Sequence, residues 1–186
     1  PLCATLQNTS SMNKGIFSLL KIVLGFYIVL CGLLYFFQEK LIFFPQKLDK
    51  NYQFVFGQNF EELNIKAKDG KLINGILFKA DSSKGLIFYL HGNDGCLRSW
   101  REVAKTYTSL NYDVYIIDYR SYGKSEGQII GQDQLFLDNQ TAYNDLKQRY
   151  REDKIIILGY SIGTGLASKL ASTNDPKLVI LQAPYY

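Results

Sequence analysis

The hydrophobic and polar positions divide the chain into two unequal stretches. From Ile16 to Phe37 (IFSLLKIVLGFYIVLCGLLYFF), 22 residues carry a single charge, Lys21. As a helix rising 1.5 Å per residue this run is about 33 Å long, enough for a hydrocarbon core of about 30 Å. Lys21 lies near the amino end, where a lysine can snorkel. The run competes with two other readings, a cleaved signal peptide and a buried core helix. No small-x-small site follows it, and Leu30 stands where a lipoprotein signal ahead of Cys31 would need a small residue. The pattern therefore predicts an uncleaved signal anchor over 12–40. Lys14 and Lys21 on one side and Lys40, Lys47 and Lys50 on the other leave the positive-inside count even. A short basic tail favours a cytoplasmic amino end, which would put the remaining chain on the extracytoplasmic side. Residues 1–11 are polar and aperiodic, and Met12 is expected to be the natural start.

Residues 41–59 read as a polar-aromatic linker, with Phe43-Phe44-Pro45 able either to sit at a headgroup layer or to pack on the domain. From Phe60 the periodicity becomes that of a sheet. Residues 62–67 alternate, Asp69-Gly70 is a hairpin turn, and 71–78 (KLINGILF) continues as the partner strand. The runs 85–90 (GLIFYL), 113–117 (DVYII), 154–158 (KIIIL) and 177–182 (KLVILQ) read as strands, the first two as buried on both faces. Between them, 98–110, 132–151 and 164–173 read as helices. Strands alternating with helices predict an α/β domain over 60–186, a mostly parallel sheet with helices on both faces and an antiparallel hairpin at its leading edge.

Composition narrows the function classes. The 186 residues are 47% hydrophobic, and once the apolar run is set aside about 130 to 150 residues remain, the common size of one domain. The net charge of +4 is spread along the chain among acidic residues, so a nucleic-acid surface is not expected. Cys3, Cys31 and Cys96 are not at metal-ligand spacing and there is one histidine, so neither a metal site, a disulfide framework nor a cofactor is expected.

In parallel sheets, functional groups gather where strands end at their carboxyl side. Three such ends carry suggestive residues: His91-Gly92-Asn93-Asp94-Gly95, Asp118 to Gly127 (DYRSYGKSEG), and Gly159-Tyr160-Ser161-Ile162-Gly163. The last has the form of a strand-to-helix elbow that presents a serine hydroxyl, with Gly159 and Gly163 keeping strand and helix free of side chains that would collide.

Together with the closing Gln-Ala-Pro-Tyr-Tyr, these segments resemble the membrane-anchored, Bem46-like serine hydrolases of the α/β-hydrolase superfamily, over residues 43–186. The resemblance implies Ser161 as nucleophile and the backbone N–H groups of Asn93 and Ile162 as the oxyanion hole. It implies supporting roles for His91 and Gly92 in the oxyanion loop and for Asp118 and Arg120 in the floor of the site, with His91 expected to brace the loop by hydrogen bonds rather than act as base. Ser121 departs from the glycine usual at its position and leaves the turn geometry open. In the superfamily the triad acid and base follow later strands, so the sequence is expected to be the amino-terminal part of such an enzyme, inactive by itself. The expected reaction of the whole protein is cleavage of an ester, thioester or amide of a small or acylated substrate through an acyl-serine. The alternatives are a non-catalytic membrane-tethered binding or scaffold protein and a serine peptidase of the same superfamily.

Overall fold

The computed structural model describes the backbone of residues 2–185 and the side chains of residues 14–185; Pro1 and Tyr186 lie outside the described residues. Helix α1 runs over Leu2–Ile42, longer than the apolar run alone. Nothing between Leu2 and Ile42 breaks the backbone ladder, and Pro45 disfavours helical geometry at the residue before it. Within α1, Lys14–Ile42 is long and apolar enough to cross a membrane, and none of its apolar window is buried.

Residues 42–186 form a second unit. Its central sheet holds β2 (Phe60–Glu62), β5 (Gly75–Phe78), β6 (Leu86–Leu90), β8 (Asp113–Ile117), β9 (Ile155–Tyr160) and β10 (Leu178–Gln182), in spatial order β10-β9-β6-β8-β5-β2. The four strands from β10 to β8 are parallel, whereas β5 and β2 run antiparallel at the leading edge. Two short pairs lie beside it: β1 (Phe44–Pro45) with β7 (Asp94–Gly95), and β3 (Ile65–Lys66) with β4 (Leu72–Ile73).

Alternate strand residues feed two cores. On one face Phe88, Tyr115, Ile157 and Leu90 meet α3 (Gln132–Leu146) and α4 (Gly163–Ala171) through Leu135, Tyr143, Leu146, Leu166 and Leu170. On the other, Ile87, Tyr89, Val114, Ile116 and Leu158 meet α2 (Arg101–Thr108) and the aromatic residues of the linker. That linker is packed on the domain: Phe54 is buried, and Leu48, Tyr52 and Phe56 lie against the same core.

Three elements differ from the sequence pattern, one of them the helix expected at 132–151, which ends at Leu146. The expected single hairpin is broken into β2/β5 and β3/β4, because Asn74 leaves the ladder. Its N–H donates to Ser125 Oγ (2.8 Å), and its amide donates to Glu62 (2.7 Å) and Asn64 (2.8 Å). The helix expected at 98–110 starts at Arg101, because the buried Asp118 carboxyl accepts the Leu97 N–H (2.9 Å) and holds 97–99 in a separate 3-10 turn.

Candidate active site

The elbow between β9 and α4 has the geometry its glycines require. Ser161 sits at φ +51°, a left-handed backbone that costs a non-glycine residue on the order of 1–2 kcal/mol. A Cβ on Gly159 would strike the Gly163 carbonyl, and one on Gly163 would strike the Leu90 carbonyl. The turn is closed by the Thr164 N–H (2.9 Å) and hydroxyl (2.6 Å), both donating to the Ser161 carbonyl. The Ser161 N–H donates to Gln182 O of β10 (2.9 Å).

The loop after β6 lies against this elbow. A methyl placed on Gly92 would stand 3.7 Å from Ser161 Cβ and 3.2 Å from Tyr160 Cδ1. Three successive carbonyls of the loop are held. His91 O accepts from Tyr119 Oη (2.9 Å), Gly92 O from His91 Nδ1 (2.6 Å), and Asn93 O from both Tyr122 Oη (2.6 Å) and the Phe44 N–H (2.9 Å). The Asn93 side chain donates to Ile42 O (2.8 Å). Among the described residues, neither the Asn93 N–H nor the Ile162 N–H donates a hydrogen bond. The elbow thus combines one half-buried hydroxyl, two unspent amide donors and the amino end of α4 with its partial positive charge.

His91 is wholly buried, its ring stacked on Tyr119 (4.1 Å between centroids) and near Trp100 (5.7 Å). Burial holds its pKa down to about 4, only partly offset by the Gly92 hydrogen bond. Its Nε2 lies 3.8 Å from Asp118 Oδ1, too far for a hydrogen bond. Burial raises the Asp118 carboxyl well above the usual carboxylate range, against the pull of the Leu97 N–H and of Lys47.

Arg120, grouped with the site from sequence, is engaged elsewhere. Its guanidinium makes paired contacts with Asp138 of α3 (2.7 and 2.9 Å) and with Asp69 of the β3–β4 turn (2.6 and 3.0 Å). Ser121 occupies φ +70°, taking the conformation that a glycine would adopt more cheaply.

Sequence reasoning gave Phe44, Tyr119, Tyr122 and Ser125 no individual role in the site. Phe44 N–H and the two tyrosine hydroxyls hold the loop beside Ser161, and Ser125 Oγ donates to Asp118 O (2.6 Å). The two tyrosines, three apart around the Arg120-Ser121 turn, were the available signal. The Phe44 contact depends on the pairing of β1 with β7, which no local pattern announces.

The family described as "Serine aminopeptidase, S33" matches residues 81–186. Protein bem46 of Schizosaccharomyces pombe is 29% identical over 92% of this chain and 62% of its own length. The lysophosphatidylserine lipase ABHD12 of Danio rerio is 36% identical over 56% of this chain and 29% of its own. Among solved structures, the Pyrococcus furiosus esterase Pf2001 superposes with a TM-score of 0.63 at 19% identity, over 77% of this chain and 56% of that one. The chain therefore spans less than two thirds of the length of these curated relatives, and the structural likeness carries the fold alone.

Proposed function

The chain belongs to the serine aminopeptidase S33 family of α/β-hydrolases, and from that premise we propose that it carries the nucleophile and oxyanion hole of a membrane-tethered serine hydrolase. Ser161 Oγ adds to the carbonyl carbon of an ester, thioester or amide. The oxygen that becomes negative is met by the Asn93 and Ile162 N–H groups, each worth about 2.7–4 kcal/mol at the transition state. Collapse of the adduct breaks the bond to the alcohol, thiol or amine, which leaves with the proton given up by the serine hydroxyl, and the acyl group stays on Ser161 until water releases it as the acid. The observation that carries this reading is the left-handed Ser161 set next to Gly92, with both neighbouring amides unspent.

His91, the one histidine of the sequence, is not read as the general base, because its side chain is wholly buried and its Nδ1 is engaged by the Gly92 carbonyl. The N-terminal helix anchors the protein, with the hydrolase domain on the extracytoplasmic side, and the name of the ABHD12 relatives favours lipid esters as the substrate class. Labelling of the full-length gene product by a fluorophosphonate probe is expected in the wild type and absent from Ser161→Ala. Equal labelling of the two removes Ser161 from the chemistry. A second reading, a peptidase, is favoured by the family's description. Turnover of aminoacyl arylamides in preference to acyl esters would support it.

A further inference from the structure

Four lysines that the sequence keeps apart are gathered at one cavity. Lys47 and Lys50 come from the linker, Lys71 from the β3–β4 turn and Lys124 from the loop after β8. With Glu126 and Gly127 they line a space of about 360 Å³, within the range of small-ligand sites. We propose that this cavity is a site for a phosphate-bearing lipid headgroup of the membrane that holds α1. The proposal rests on the reading of α1 as a membrane anchor.

The charges leave a surplus. Lys50 pairs with Glu126 (3.0 Å) and Lys124 with Glu62. Lys47 donates to a carbonyl, that of Ser125 (2.8 Å), and among the described residues the exposed Lys71 ammonium enters no ion pair or hydrogen bond. Four ammonium groups against two carboxylates leave two positive charges. Asp69 is taken up by Arg120, and Asp49 accepts the Asn51 N–H of its own turn (2.8 Å). Burial holds the Lys47 ammonium below its ordinary range, Asp118 pulls the other way, and the charge of Lys50 adds to the depression. An anion in the cavity offsets that repulsion.

Backbone contacts fix the cradle. The Gly123 N–H donates to Gln46 O (2.8 Å) and the Leu48 N–H to Gly123 O (3.0 Å), so the linker on either side of Lys47 is tied to the loop that carries Lys124. The Glu126 N–H donates to Leu72 O (2.8 Å), and the Glu126 carboxylate accepts the Leu72 N–H (3.1 Å), which sets Lys71 beside the same loop. A methyl on Gly127 would stand 3.7 Å from Lys71 Cγ. Among the described residues the Gly127 N–H donates no hydrogen bond, and backbone amides of this kind are taken up by phosphate oxygens.

The chemistry of the lining narrows the ligand. Ammonium groups act on phosphate as point charges, and no aromatic ring lines the cavity for a nucleobase to stack on. Connectivity supplies the source. α1 ends at Ile42, and Lys47 and Lys50 follow it by five and eight residues, at most about 18 and 29 Å of extended chain. With α1 in a bilayer, lysines so close to the end of the helix are drawn to anionic headgroups.

A lysine footprint tests the site. The full-length protein is incorporated in phosphatidylcholine nanodiscs, and acetylation of individual lysines by an amine-reactive reagent is followed by peptide mass spectrometry. Adding phosphatidic acid to the discs is expected to slow acetylation of Lys47 and Lys71 by about fivefold or more, and that of Lys105 and Lys154, which do not line the cavity, by less than about twofold. Lys71→Glu, a change at an exposed residue, is expected to abolish the protection of Lys47. Equal protection of all four lysines, or protection of Lys47 that survives Lys71→Glu, would mean diffuse surface charge and would overturn the proposal. Inorganic phosphate added to phosphatidylcholine discs is expected to protect less; equal protection makes the free anion the ligand and overturns the assignment to lipid. Failure of the anchoring reading appears separately, as protein that elutes apart from the discs, and takes the proposal with it.

Discussion

At the scale of single residues, the side chains that hold the loop beside Ser161, those of His91, Tyr119 and Tyr122, are buried. His91 carries a stability consequence that can be worked out from its burial. Its pKa is about 6.5 in an unfolded chain and about 4 here, so between those values the unfolded state binds the extra proton. The stabilisation is therefore fully present above pH 6.5 and is lost as pH falls toward 4, by about 3 kcal/mol. Asp118, raised by burial, works in the other sense: its contribution is present below the ordinary carboxylate pKa and is lost as pH rises through its elevated value. The other groups near the ring are Tyr119 and Tyr122, whose hydroxyls burial keeps neutral throughout this range, with Lys47 acting on Asp118 from beyond it. Comparing urea denaturation of wild type with His91→Asn separates the two effects. The gap between their unfolding free energies is expected to shift by about 2.5 kcal/mol against wild type between pH 7.5 and 4.5, and a constant gap would show that His91 titrates normally.

At the scale of elements, Arg120 joins two pieces of the fold that the sequence separates by 69 residues, the β3–β4 turn at Asp69 and helix α3 at Asp138. The arms differ in weight. Asp138 is 8% exposed and would be left as a buried unpaired carboxylate, whereas Asp69 is 49% exposed and is rescued by water. Arg120→Met is expected to cost about 3–5 kcal/mol in denaturant unfolding, and Arg120→Met with Asp138→Leu to recover most of that loss. Additive losses in the double variant would show that the pair is not coupled. The same contrast explains what was legible in the sequence. The strands at 86–90 and 113–117 lie within a residue of their apolar runs because both their faces are buried, and continuous burial writes itself as continuous hydrophobicity. The elbow was equally legible, since Gly159 answers to a backbone collision with Gly163 four residues on, although the collision Gly163 avoids is with the distant Leu90 carbonyl. The broken hairpin was not, because Asn74 is drawn off by Ser125, 51 residues on. The grip of Phe44 on the loop was hidden for the same reason: a backbone N–H donating to a distant carbonyl leaves no trace in the donor's sequence.

At the scale of the whole molecule, the two buried cores of residues 42–186 thin out toward β10. Among the described residues this strand pairs only with β9 and leaves its other side open, with Leu178 50% and Leu181 43% exposed. An apolar edge with unpaired N–H and C=O groups is a template for a strand of another molecule. Ile180 and Val179 are half-buried against the two cores and hold β10 in place, so Leu181 can be changed without emptying either core. A lysine there puts a charge at the open edge, which two copies pairing along β10 would have to bring close together. For the 186-residue chain in detergent micelles, Leu181→Lys is expected to shift sedimentation toward the monomer at equal protein concentration. Its effect on unfolding free energy is expected to stay within about 0.5 kcal/mol, as for a surface position. In a longer protein where a further strand covers β10, the same substitution would bury a lysine at a strand pair and destabilise by several times that amount. The sign and size of this one change, measured in both chains, therefore report whether β10 is an edge or an interior strand of the longer protein.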